Sequence, residues 1–473
     1  MDKIKFILNG EIIETGQHAG VSVLDFLRKR MNLVGTKEGC REGECGACSV
    51  LIGEHDGKNT GYRVFTSCLL TLGHVMGKHL VTIEGLNRDK LNPVQKLLVD
   101  NFGIQCGYCT PGLVVALTGF MMNSGNLSVL DAIDSLDGNI CRCTGYVGIR
   151  KALKKLSGTY GKKLKDTDRI SQLVEWKILP GYFAEIPDSL SKINKTIKTG
   201  RLTGGKNTIL VGGATDLMVQ NPDLMKNSSL TYLSDYPYLK EITLTKTFIN
   251  VGAGISMYDF QNNGIIRKHF PEIDKYFSLI ASSILRSKAT LAGNIVNASP
   301  TADLTVILLA MKARLVITDG KSRREVMLRN FYKGHKNIDL RKAEFIEHIR
   351  IPILPRKYLF HFEKVAYRKY LDIAIINTAI GISMDKGRFA DVAVSAGGVE
   401  SYPKILENVS TFLIGKTPTK ENISTALKCL VDDINPRSGK HGSKEYKTLL
   451  IRNLLIAHFI KLFPDKIFFE DFT

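Results

Sequence analysis

Eight cysteines fall between positions 40 and 143, and their spacing points to metal chemistry. Cys40, Cys45 and Cys48 form a C-x4-C-x2-C run, and Cys68 follows after nineteen intervening residues. At that spacing four thiolates hold one [2Fe–2S] cluster. A second group, Cys106-Gly107-Tyr108-Cys109 with Cys141-Arg142-Cys143, predicts a second cluster. A cluster's charge must be balanced by backbone N–H donors. Gly39, Gly43 and Gly46 alternate with the first ligands, so the chain can take positive φ and approach closely. Two other readings of the thiols stay open at this point. A disulfide framework requires a secreted protein. Four thiolates also suit zinc, although this run with a remote fourth ligand is unusual for that ion. The ninth cysteine, Cys429, lies far away in an apolar helical stretch and is expected in a core.

The elements that must position these ligands are legible nearby. Residues 3–8 read as a strand, 11–14 as its hairpin partner and 23–31 as an amphipathic helix. Strands at 50–52, 62–66 and 79–83 complete a small mixed sheet, a β-grasp layout. Around the second group, Thr110 is the expected N-cap of a helix through Met122, with Pro111 in its first turn. Ser128 opens another helix with Asp131 as its capping partner, and a further one runs over 147–156. Both cysteine pairs are therefore expected at helix N-terminal turns, where N–H groups stabilise thiolates.

The chain has 473 residues and 44% apolar content, enough for about three domains with real cores. Its N-terminus alternates charged and apolar residues, so no secretory signal is expected, and 112–122 is too short to span a bilayer. A cytoplasmic location follows as the default. The net charge of +19 is uneven: +3 through Tyr160 and +16 beyond it. No element concentrates that excess with interleaved aromatics, so neither nucleic acid nor a membrane is an expected partner.

Residues 157–179 turn polar and read as a linker. Beyond it, a strand at 208–211 runs into Gly212-Gly213-Ala214-Thr215-Asp216, a turn that can bring backbone N–H groups to a pyrophosphate or simply reverse the chain. Residues 289–304 pack small and hydroxyl side chains around Gly293, with Asn294, Ser299, Thr301 and Asp303 as polar contacts. Asp303 is equally placed to cap the helix that follows. Strands at 360–368, 374–384 and 388–397 then form an expected meander, followed by helices near 420–430 and 443–462.

The motifs Gly39–Cys48, Gln105–Gly112 and Asn139–Tyr146 resemble those of the molybdenum hydroxylase family. The glycine-rich segments, with Ile249–Ser256, are similar to that family's FAD-binding domain. The resemblance implies a multidomain α+β chain: a β-grasp 2Fe-2S ferredoxin domain (1–86), a four-helix 2Fe-2S-binding domain (87–157), a linker (158–180), an α+β FAD-binding domain of the molybdopterin dehydrogenase type (181–355) and an α/β C-terminal flavoprotein domain (356–473). By the same resemblance one cluster is bound by Cys40, Cys45, Cys48 and Cys68, and the other by Cys106, Cys109, Cys141 and Cys143. FAD contacts are implied at Ile209, Leu210, Val211, Gly212, Gly213, Ala214, Thr215, Asp216, Thr290, Gly293, Asn294, Asp303, Ile346 and Lys364. The sequence departs from the family at Ala292, where glycine is usual, and at Ser287, where asparagine is usual.

The order of clusters, linker and flavin domain in one chain is similar to that of the xanthine dehydrogenases. That likeness implies an oxidoreductase subunit with no catalytic residue of its own for the hydroxylation. Its partner is a large subunit that binds molybdopterin-molybdenum, in a dimer of heterodimers. Electrons are expected to pass from molybdenum to the Cys106 cluster, then the Cys40 cluster, FAD and NAD+. An equivalent subunit acting on an aldehyde or an N-heterocycle is the alternative, and a zinc-binding interaction protein is the remote one.

Overall fold

A computed structural model describes residues 3–164, 168–193, 200–204, 208–355, 357–368, 370–439 and 442–472. The chain divides into two compact units. The first comprises Met1–Ile197, Asn207–Asp235 and Ser282–Ala289; the second comprises Lys198–Lys206, Tyr236–Ala281 and Thr290–Thr473.

The first unit opens with β1 (Ile4–Leu8), β2 (Glu11–Thr15), α1 (Val23–Lys29), β3 (Ser49–His55), β4 (Thr60–Thr66) and β5 (His79–Val81). The sheet order is β2-β1-β5-β3-β4, with β1 and β5 parallel and the other pairs antiparallel. Alternation along β1 sends Ile4, Phe6 and Leu8 into a core with Phe26, Val50, Ile52 and Phe65, while Ile7 packs with Ile186 and Leu190. The Ser22 side chain accepts the Asp25 N–H and fixes the start of α1.

Four helices follow: α2 (Pro93–Asp100), α3 (Thr110–Asn123), α4 (Val129–Asp134) and α5 (Val147–Tyr160). Helix α3 is apolar on every side, and Leu113 to Leu117 and Met121 are buried, so it forms the centre of this group. Its N-cap is Cys109 rather than Thr110, which moves the expected cap by one residue. Ser128 caps α4 as expected, its hydroxyl accepting the Asp131 N–H at 3.1 Å. The stretch read as a linker is built differently: α5 continues to Tyr160, and α6 (Arg169–Glu175) buries Leu173, with Ile178 and Leu179 behind it. Its polar surface faces out while one apolar stripe packs inward, which a composition window averages away; Lys165 lies outside the described residues.

The same unit takes in β6 (Ile209–Val211), α7 (Thr215–Gln220), β7 (Leu230–Tyr232) and the turn α8 (Ser283–Arg286). Strands β6 and β7 pair in parallel. Val211, Ala214, Met218, Met225 and Tyr232 share an apolar cluster with Leu24, Cys48, Cys68 and Leu69.

Among the described residues the second unit holds a two-stranded sheet, pairing Tyr332–Gly334 with Asn337–Ile338, and two larger ones. One has β8 (Ile242–Leu244), β9 (Phe248–Gly252), β10 (Arg314–Thr318), β11 (Arg323–Met327) and β12 (Phe345–Pro352) in the order β11-β10-β12-β9-β8. The other is the expected meander, β13 (Leu359–Val365), β14 (Ile376–Asp385) and β15 (Arg388–Gly397), extended by β16 (Lys404–Ile405). Helices α9 (Leu291–Asn297) and α10 (Asp303–Ala310) lie in this unit, and α11 (Lys420–Lys428) and α12 (Lys444–Leu462) cover the meander with Ile423, Ile451, Leu455 and Phe459. Cys429 caps the end of α11 and is only half-buried, so it sits at the margin of that core rather than inside it.

Candidate functional site

Four sequence segments in the first unit carry the eight thiols. Cys48 and Cys68 are buried with their sulfurs 3.3 Å apart, and Cys106 and Cys143 are exposed with theirs 3.4 Å apart. These separations far exceed the roughly 2.05 Å of a disulfide. They approach the roughly 3.7 Å expected of two thiolates on one tetrahedral metal with bonds of about 2.3 Å. Among the described residues no three His, Cys, Asp or Glu side chains converge on a single-ion position. Each of these two pairs is close enough to share one metal ion.

The backbone around the first group turns its donors inward. Glu42 and Glu44 each donate an N–H to Cys40 Sγ at 3.3 Å. Contact with the Cys45 thiol, followed by these amides, holds the Cys40 thiol down to about 5 against the opposing effect of burial. Gly43 and Gly46 take the expected positive φ, but Gly39 does not; a Cβ there would stand 2.6 Å from Cys45 Sγ, so its lack of a side chain leaves room for the ligand. At Gly46 a Cβ would meet Gly138 O at 2.4 Å, where the second group's loop crosses.

That crossing ties the two thiol sites together. Ile140 N–H donates to Cys45 O at 3.0 Å, and Asn139 Nδ2 donates to Gly46 O at 3.1 Å. Tyr108, between Cys106 and Cys109, donates its hydroxyl to Glu38 O. Around Cys141, the Thr144 hydroxyl lies 3.2 Å from Sγ, and the ligand's own N–H donates to the Tyr146 hydroxyl at 2.9 Å. Asp137, four residues ahead of Cys141, accepts the Ser283 N–H at 2.8 Å and its hydroxyl at 2.6 Å, with Arg286 at 3.5 Å. The contacts around Cys141 are local, but the links of Tyr108, Asn139 and Asp137 have no local signal: their partners are 70 or more residues apart.

The expected flavin contacts divide between the units. In the first, residues 209–216 form β6, a turn with Ala214 at φ 61°, and the start of α7. Gly213 lies so close to Lys288 O that a Cβ would stand 2.2 Å from it, and Gly212 O is 3.2 Å from His74 Nε2. A bare strand-to-helix turn of this kind fits a pyrophosphate. In the second unit, the Thr290 hydroxyl accepts the Gly293 N–H at 3.1 Å and caps α9, and Asn294 Oδ1 accepts from the Thr305 hydroxyl at 3.4 Å. Asp303 does not cap α10, whose N-cap is Ala302. Its buried carboxylate instead takes Lys364 Nζ at 2.7 Å and Asn377 Nδ2, and Lys364 also reaches Leu279 O at 2.9 Å. Burial raises the Asp303 pKa while Lys364 opposes the shift. Ile346 is buried on β12. Asn377 escaped the sequence reading because nothing near it marks a ligand site.

Four family models match the chain: a 2Fe-2S iron-sulfur cluster binding domain over 6–72, a [2Fe-2S] binding domain over 82–154, the FAD binding domain in molybdopterin dehydrogenase over 183–354, and the CO dehydrogenase flavoprotein C-terminal domain over 361–462. This is the iron–sulfur and flavin portion of the molybdenum hydroxylase family. Xanthine dehydrogenase of Emericella nidulans is 28% identical over 98% of this chain and 38% of its own length. Human aldehyde oxidase is 25% identical over 97% of this chain and 39% of its own. The chain thus spans well under half the length of these curated relatives. Quinoline 2-oxidoreductase of Pseudomonas putida 86 shares the fold over 56% of this chain and 92% of its own, with a TM-score of 0.50 and 24% identity. The reconstituted CO dehydrogenase of Oligotropha carboxidovorans does so over 53% and 88%, with a TM-score of 0.50 and 23% identity. In the molybdenum hydroxylase domain scheme, the two thiol sites fall within the two cluster-binding matches. Residues 209–216, 290–303 and Ile346 fall within the FAD-binding match, and Lys364 opens the C-terminal one.

Proposed function

We propose that the chain is the electron-transfer portion of a xanthine dehydrogenase, serving the oxidation of hypoxanthine and xanthine to urate with NAD+ as acceptor. The observation that carries this reading is the approach of Cys48 to Cys68 and of Cys106 to Cys143, in two motifs hydrogen-bonded to each other through Ile140 and Cys45 and lying in one compact unit with the glycine turn of the flavin segment. When bound, the two clusters pass single electrons and FAD exchanges single electrons for pairs. Cys40, Cys45, Cys48 and Cys68 hold one cluster; Cys106, Cys109, Cys141 and Cys143 hold the other. FAD contacts are assigned in the first unit to the backbone of 209–216, and in the second to Thr290, Gly293, Asn294, Asp303, Ile346 and Lys364. The chain's own residues exclude water from Cys48 and Cys68, direct amides at Cys40 and set the separation of the two sites. The molybdenum-binding part belongs to a partner subunit, in a cytoplasmic dimer of heterodimers. No helix among the described residues is long and apolar enough to cross a membrane.

Substrate choice lies with that partner, and likeness to an aldehyde oxidase over nearly the same span supports a second reading, in which an aldehyde or N-heterocycle is oxidised. The test is to purify the complex and follow NADH formation at 340 nm with xanthine, with an aldehyde and with an N-heterocycle. Turnover of an aldehyde without any purine-dependent NADH sinks the first choice. Metal analysis addresses the remote alternative: four irons and one flavin per chain are expected, and stoichiometric zinc in a colourless protein removes the redox reading.

A further inference from the structure

Arg41 sits between the ligand Cys40 and Glu42 with φ 59°, a left-handed conformation that a residue with a side chain seldom adopts. Such a conformation persists where the surroundings over-determine it. Here Arg41 donates Nη2 and Nη1 to Asp25 Oδ1 and Oδ2 at 2.9 and 3.3 Å, and Nε and Nη2 to Glu38 at 2.6 and 2.8 Å. The Asp25 side chain is only 10% exposed and also holds Ser22 Oγ at 2.9 Å and Lys29 Nζ at 2.8 Å. The same turn aims the Glu42 and Glu44 amides at Cys40 Sγ. A nearly buried carboxylate, a guanidinium and a second carboxylate therefore stand on the residue next to a ligand.

We propose that the Asp25–Arg41–Glu38 group sets the reduction potential of the cluster held by Cys40, Cys45, Cys48 and Cys68, Arg41 raising it and the two carboxylates lowering it. The proposal rests on the reading that these thiols bind a [2Fe–2S] cluster. Reduction adds one electron from the upstream donor and breaks no bond, so the cluster becomes one unit more negative. A nearby cation favours that state and a nearby anion opposes it, most strongly where water is excluded. Asp25 is the best shielded charge of the three, which makes it the strongest lever. Lys29, Lys37, Glu42 and Glu44 also border the turn; Lys29, at 67% exposure, is screened by water far more than Asp25.

The test is an EPR-monitored redox titration of the full chain with both clusters bound. Asp25→Asn is expected to raise the midpoint potential of the first cluster, and Arg41→Gln to lower it, with the second cluster's midpoint unchanged. Both substitutions break the same ion pair, so a merely structural role moves both potentials the same way. Shifts of equal sign, or no shift, overturn the proposal. Should Asp25→Asn fail to fold, Glu38→Gln must give the same upward shift. Arg41→Lys keeps the charge and must stay near wild type; a fall as large as with Arg41→Gln counts against the charge argument. Absence of any first-cluster signal in the wild type is a failure of the cluster assignment itself, and is read before any variant is compared.

Discussion

At the scale of single residues, Lys364 and Asp303 show how a buried charge constrains a chain. Their side chains are 5% and 12% exposed, and each relies on the other, with Asn377 and the Leu279 carbonyl satisfying the remaining atoms. Removing one member of a buried pair strands the other and typically costs about 3–5 kcal/mol. Lys364→Met is therefore expected to lower the stability of the second unit by that order in urea unfolding. Lys364→Met with Asp303→Asn should recover part of the loss, because the carboxylate is then no longer charged. The same residues show the limit of local reading. Asp303 stands where a helix cap is expected, and its pattern cannot reveal a lysine 61 positions later. The cysteine motifs stand out in the sequence because their spacing is itself local, and the structure brings Cys48 to Cys68 and Cys106 to Cys143. Arg41 does not stand out, because its meaning depends on Asp25, sixteen residues back, and on a φ that no residue name announces.

At the scale of elements, β5 carries His79 into the heart of the first sheet. Its Nε2 donates to Asn9 O at 2.6 Å and its Nδ1 accepts from the Tyr62 hydroxyl at 2.7 Å, which fixes a neutral ring. Burial pushes its pKa down to about 4, against the Asn9 contact. The unfolded chain binds a proton near the ordinary value of 6.5, while the folded one resists until about 4. This contribution to stability is complete above about pH 6.5 and is lost progressively as the pH falls toward 4. Between pH 7.5 and 5.5 the expected loss is about 1 kcal/mol. His79→Gln should flatten that slope in thermal unfolding followed at the two pH values. His458 of the second unit, with its Nδ1 2.8 Å from that of His361, acts in the same direction, held well below its usual range by burial and then by its neighbour. The elements themselves were largely readable. The β1–β2 hairpin, α1 and the β13–β15 meander follow alternation and capping that a short window detects. The shift of the α3 cap to Cys109 and the helix inside the expected linker escaped that window, because packing against α3 and its neighbours decides both.

At the scale of the whole molecule, the compact units do not follow the linear domain order. Residues 207–235 and 282–289 group with the cluster-binding portion, although a linear reading assigns them to the flavin domain. Tyr232 shows why: its hydroxyl meets Thr71 Oγ1 at 2.9 Å and donates to Ala19 O at 3.0 Å, across more than 160 positions. A fragment ending at Leu164 would expose the apolar cluster that covers Cys48 and Cys68 and would leave Asp137 without Ser283 and Arg286. Its first cluster is expected to bleach faster in air than that of the full chain, as followed by visible absorbance and iron content. Equal bleaching rates would show that the later segments do not protect it.

The returning segments also impose a timetable on synthesis. The last of the paired thiols, Cys143, leaves the ribosome well before Ser283 and Arg286, which contact Asp137. At about 5–20 residues per second, the stretch from Leu164 to Ala289 takes on the order of ten seconds to make. Throughout that interval Cys48 and Cys68 lack the cover of Val211, Met218 and Tyr232. The nascent chain thus offers open thiols to whatever delivers iron and sulfide, and the cover closes afterwards. Growth conditions that oxidise thiols should harm the newborn chain far more than the finished one.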